Sequence, residues 1–80
     1  MNITSTPNPS NQMIEIMRQL VNDVFYDLET ACAACGEPLD AETLADTLGD
    51  HMYDISEEYR NTPWEERRAM TLHIAKQYVA

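Results

Sequence analysis

Residues 30–43 read "TACAACGEPLDAET", and the fold turns on whether this stretch is a cysteine site or a boundary between two helices. Cys32 and Cys35 form a CxxC followed at once by Gly36, a spelling shared by thiolate metal sites and by ordinary helix ends. The residues after it favour the boundary. Gly36 can take the left-handed conformation that closes a helix, Pro38 prevents its continuation, and Asp40 can cap the next one. Leu39 and Leu44 flank that cap at the spacing of a hydrophobic staple.

Upstream, apolar residues fall at 13, 17, 20, 24, 28, 31 and 35, with a second row at 14, 21, 25, 28 and 32. This wide stripe is that of a core-facing helix, and it predicts one over about 10–35, roughly 37 Å long at 1.5 Å per residue. Residues 1–9 are polar, carry Pro7 and Pro9, and have no periodicity, so a flexible N-terminal tail is expected there.

Downstream, a second helix is predicted over 41–60, with Leu44, Leu48, Ile55 and Tyr59 as its core row and Ala41, Ala45 and Met52 beside them. In "NTPWEERRAM", Thr62 reads as a cap, Pro63 as the first helical residue, and Glu65 as the partner in a capping box. The third helix, 63–79, would turn Trp64, Thr71, Ala75, Tyr78 and Val79 inward, with Met70, Leu72 and Ile74 on the flanks. No segment alternates with period 2 for long enough to make a strand. The expected architecture is all-α: a three-helix antiparallel bundle over 10–80 behind a flexible tail.

The chain has 80 residues, 44% of them hydrophobic, which suits one domain with a modest core. Its 14 acidic residues outnumber 5 basic ones, for a net charge of -9. That balance repels phosphates, so direct nucleic-acid or anionic-membrane binding is not expected, whereas a basic protein surface is a natural partner. The N-terminus has no basic segment followed by an apolar one, and no run approaches the roughly 18 apolar residues of a membrane span. A cytoplasmic location is expected.

On a helical wheel at about 100° per residue, Cys32 and Cys35 share the arc of Met17, Phe25 and Leu28, so both thiols should face the core. "CAACG" resembles half of a zinc ribbon knuckle over five residues, too short a match to carry a function across. His51 would lie roughly 15 Å along helix 2 from Cys35, and His73 should face solvent, so no single-chain site of these four is expected. His51 itself reads as a packed, hydrogen-bonded histidine at the rim of the core. Two chains could still join their Cys32 and Cys35 pairs in a zinc-bridged homodimer or sensor, with Glu37 or Asp40 nearby. A redox role is disfavoured, because Glu29, Glu37, Asp40 and the helix C-terminus all raise a thiol pKa. Neither a metal nor any other cofactor is expected in one chain.

Glu42, Asp46, Asp50, Asp54 and Glu58 recur every four residues, with Glu57 beside them and Tyr53 among them. Most such stripes are only solvated faces that keep a protein soluble. The alternative is a partner-binding surface of Glu42, Asp46, Asp50, Tyr53, Asp54 and Glu58 that docks on a basic protein. Where that basic surface normally holds nucleic acid, docking would make the chain a nucleic-acid mimic and inhibitor. Calcium is disfavoured, since the glycine-centred 12-residue loop is missing. Arg67 and Arg68 are expected to pair with Glu57, Glu58, Glu65 and Glu66. Ala45, Gly49 and Ser56 make a small-residue edge, which would serve either the bundle itself or a homodimer. No nucleophile, base and orienting group converge at a suggestive spacing, and no enzyme is expected.

Overall fold

The computed structural model describes residues 10–79, so the expected tail and Ala80 lie outside the described residues. Four helices follow one another, and no strand occurs among the described residues: α1 (Asn11–Cys35), α2 (Ala41–Ile55), α3 (Glu57–Arg60) and α4 (Trp64–Ala75). The chain is all-α. Its helix count exceeds the expected three because the second predicted helix is two.

The ends of α1 follow directly from the sequence. Ser10 is extended, and its Oγ accepts from the Met13 N–H at 3.0 Å. At the other end Gly36 has φ 78°, its N–H donates to Ala33 O, and the Glu37 N–H donates to Cys32 O at 3.0 Å. These crossed bonds make a Schellman turn, which satisfies two carbonyls that the helix itself cannot. Asp40 then caps α2 by accepting from the Thr43 N–H at 2.8 Å; Leu44 is buried in the core and Leu39 packs, partly buried, against that core.

The break at Ser56 is the main departure from expectation. Ser56 is extended, donates its N–H to Met52 O, and accepts from the Tyr59 N–H on its Oγ at 3.1 Å. One buried serine thus closes α2 and caps α3. The break gives the last core position to Tyr59, 4% exposed, and leaves Ile55, expected in the core row, 58% exposed. Gly49 leaves room beside Tyr59: an added Cβ would lie 3.1 Å from the Tyr59 hydroxyl, a tight contact, and 4.0 Å from Thr71 Cγ2. Gly49 therefore serves packing within the chain.

The core joins Met13, Met17, Val21 and Val24 of α1 to Leu44, Ala45, Leu48 and Met52 of α2, with Tyr59 and, from α4, Ile74 and Ala75. Thr71 is buried with them and is satisfied inside its own helix, donating to Arg67 O and Arg68 O. The expected capping box at the start of α4 does not form. Thr62 Oγ1 instead donates back to Glu58 O at 2.9 Å, and Pro63 precedes α4 with no side-chain cap. Helix α4 also ends four residues short of the expected 79. A turn at 76–78 carries Tyr78 to α1, where its hydroxyl donates to Asn22 Oδ1 and its ring lies 5.3 Å from that of Phe25.

Replacing Ser56 by alanine removes a buried cap and should cost about 1 kcal/mol in urea unfolding. An unchanged midpoint, or a gain in helical ellipticity, would mean that 41–60 prefers to run as one helix.

Candidate functional site

Helix α2 buries one face and leaves the other to the carboxylates. Glu42, Asp46, Asp50 and Asp54 are all exposed, and Tyr53 is 48% exposed among them. Glu58 does not extend this row, because it lies on α3 beyond the break at Ser56. It acts at the start of α1 instead. Its two carboxylate oxygens accept from the Ser10 N–H and hydroxyl, while that same hydroxyl accepts from Met13 N–H. The first turn of α1 has no acidic residue of its own, so Glu58 supplies the negative charge that a helix N-terminus favours.

Three of the six expected docking residues meet in a cleft between α2 and α4. Asp46, Asp50 and Tyr53 line it from α2, together with Gly49, and Trp64, Arg67, Arg68 and Thr71 line it from α4, with Tyr59 alongside. The cleft encloses about 360 Å³. Glu42, Asp54 and Glu58 lie outside it. Trp64, expected to face the core, is 65% exposed at its edge.

The two arginines do not form the expected network with Glu57, Glu58, Glu65 and Glu66. Arg68 pairs with Asp46 across the cleft. Arg67 donates to Thr62 O at 3.0 Å and to Arg60 O at 3.3 Å, and its guanidinium lies 5.3 Å from the Tyr53 ring centre and 5.7 Å from that of Tyr59. A planar cation over two electron-rich faces is favourable, most of all where water is partly excluded. Burial pushes the Tyr59 hydroxyl above the ordinary phenol range, with Arg67 pulling the other way, so this ring stays neutral. Asp50 has no ion pair or hydrogen bond among the described residues.

Trp64, Arg67, Arg68 and Thr71 fall at i, i+3, i+4 and i+7, one stripe of α4. Two cations inside a stripe opposite Asp46 and Asp50, themselves one turn apart, were the available sequence signal for this cleft.

The cysteines correct another expectation. Cys32 is only half-buried and Cys35 is exposed. They continue the inward arc of α1, but no α1 residue after Val24 is buried, so the arc runs on past the layer that would cover it. Cys32 lines a second cavity, of about 430 Å³, with Phe25, Glu29, Glu37, Leu39 and Val79 among its neighbours. His51 is exposed as well, with Nδ1 2.9 Å from Thr47 O, so it is hydrogen-bonded but not packed. His73 is exposed. Among the described residues, no three His, Cys, Asp or Glu side chains are grouped to hold a metal ion, and no helix is long and apolar enough to cross a membrane.

Comparisons with protein-family models, with curated proteins and with solved structures give no match for this chain.

The hydrogen bonds from Ser10 hold the Glu58 carboxyl below its ordinary value of 4.5, and the Thr43 N–H does the same for Asp40 against 3.8. Both groups are more acidic folded than unfolded, so their contribution to stability is complete above about pH 4.5 and is lost as pH falls through the lowered folded values. A carboxyl-carbon NMR titration should place Glu58 below 4.5, and Glu58→Gln should flatten the acid limb of the urea midpoint against pH. A Glu58 titration at or above 4.5 would contradict the Ser10 contact.

Proposed function

We propose that this protein is an acidic interaction module that docks the outer face of α2 on a basic surface of another protein. The observation that carries the reading is the division of α2. Leu44, Ala45, Leu48 and Met52 are fully engaged in the core, while Glu42, Asp46, Asp50 and Asp54 stand exposed on the other side around a half-exposed tyrosine. Three successive i,i+4 carboxylate pairs on α2 (42/46, 46/50 and 50/54) repel one another, at about 0.2–0.5 kcal/mol each in an isolated helix. A cationic partner would relieve that repulsion, and the net charge of -9 would speed its approach. Tyr53 adds an aromatic anchor of the kind that interfaces favour.

The scaffold we infer for this face is an antiparallel bundle of the three long helices α1, α2 and α4. Ser10 at the start of α1 meets Glu58 just past the end of α2, and Tyr78 beyond α4 meets Asn22 in α1. The protein acts by binding, without catalysis of its own, and in the cytoplasm, where the exposed Cys35 thiol would stay reduced. Nucleic-acid mimicry is the narrower form of this reading. The α2 face offers one charge per roughly 6 Å, against about 1.7 Å along a duplex and 3.4 Å along one of its strands, so it suits a local basic patch better than a groove built for a duplex.

Asp50→Lys with Asp54→Lys, which spares the Asp46–Arg68 pair, should weaken a partner captured from native extract by about tenfold or more, with affinity falling steeply as salt rises. Affinity unchanged within about twofold would reduce the face to a solvated one.

The exposure of Cys35 favours a second reading, in which two chains join their Cys32 and Cys35 thiolates around zinc. That arrangement requires about half a zinc per chain in protein purified without chelator, together with a dimer mass in light scattering; a metal-free monomer would eliminate it.

A further inference from the structure

We propose that the cleft between α2 and α4 takes one arginine side chain of the basic partner, laid against Trp64 and paired with Asp50. This rests on the docking reading above and gives it a specific anchor. At about 360 Å³ the cleft is near the lower end of ligand pockets, room for one long side chain and too little for a typical cofactor.

Its chemistry is unusually well divided. Aromatic faces come from three rings, and Trp64, the strongest partner for a cation, is 65% exposed at the cleft edge. Arg67 already demonstrates what the cleft holds. Its guanidinium lies over Tyr53 and Tyr59, with Nη1 anchored by two backbone carbonyls, so it fixes the inner wall and leaves the Trp64 edge open.

The lining has two carboxylates and two guanidiniums, and so no net charge of its own. What decides the sign of the occupant is how those charges are used. Asp46 and Arg68 are closed on each other, and Arg67 is taken up by rings and carbonyls. Asp50 is left as the carboxylate without a partner among the described residues. The surrounding field points the same way, because a chain at -9 draws a cation toward the cleft and repels an anion.

Trp64 is the only tryptophan in the chain, so its emission reports on this site alone. The probe is a short lysine-bearing Gly/Ser peptide with one central arginine, titrated into the full chain at low salt. Saturable change in Trp64 emission is expected. Calorimetry should show binding weakened about fivefold or more by Trp64→Ala, by Asp50→Asn, or by replacing the arginine with its uncharged isostere citrulline. Asp27→Asn, exposed on α1 and outside both the cleft and the α2 face, should cost about twofold or less. Trp64→Ala removes an exposed ring, and Asp50→Asn preserves shape, so the second variant stands if the first loses its fold.

Salt-sensitive binding that both cleft variants leave within about twofold would overturn the cleft and spare the docking reading. Equal binding of the citrulline peptide would show that the cleft does not hold the guanidinium, and would overturn the proposal too. No saturable binding at all would overturn the cleft and the docking reading together.

Discussion

The constraint that shapes the α2–α4 side of this structure is the room that Gly49, lacking a side chain, leaves for the Tyr59 hydroxyl. A Cβ at position 49 would lie 3.1 Å from that hydroxyl, closer than side chains ordinarily tolerate without some adjustment. The glycine costs α2 about 1 kcal/mol in helix propensity relative to alanine. In return a buried tyrosine closes the end of the core, reached from α2 through the break at Ser56. The short α3 and the turn after it then set where α4 begins. The cleft is lined by Gly49 and Tyr59 at that close approach, with Trp64 at its edge.

Electrostatics here contributes little to holding the chain together. Among the described residues one carboxylate–guanidinium pair forms, Asp46 with Arg68, and its aspartate is well exposed, so it adds at most about 1 kcal/mol. The other notable uses of charge are local and geometric: Glu58 completing the start of α1, Asp40 capping α2, and Arg67 spanning two rings. Most of the acidic residues perform no such task within the chain. Stability comes from a core dominated by methionine, leucine, valine and alanine, and the acidic excess remains on the outside of it.

How much of this was legible depended on whether a signal was local. Gly36, Pro38 and Asp40 specify their boundary through backbone chemistry of their own, and α1 ends at Cys35 and α2 begins at Ala41 as these residues dictate. Ser56 carries the same chemistry, a serine followed by Glu57 and Glu58 in a first turn, but it lies inside an unbroken apolar rhythm, and the rhythm masks it. Trp64, Ile55 and the cysteines were misplaced for another reason. A helical wheel assigns direction around an axis, and burial also requires a neighbour at that height. Trp64 and Ile55 lie at helix ends and Cys35 beyond the last buried turn, where the direction was sound and the neighbour is missing. Five of the six docking residues, all but Glu58, stand exposed on α2 as their spacing implies; the pairing of that face with α4 depends on where a second helix begins, which no single segment encodes.

The uneven covering of α1 has a consequence for how that helix breathes. Its first half is locked by Met13, Met17, Val21 and Val24, whereas the stretch from Phe25 to Cys35 holds only half-buried or exposed side chains and ends on the Schellman turn. Amides in the first half should open to solvent only when the whole domain does, while those of the last three turns can open by local fraying from Gly36 inward. One continuous helix thus contains two regimes of protection from hydrogen exchange, with the change-over near Val24 and the cysteine pair in the faster one.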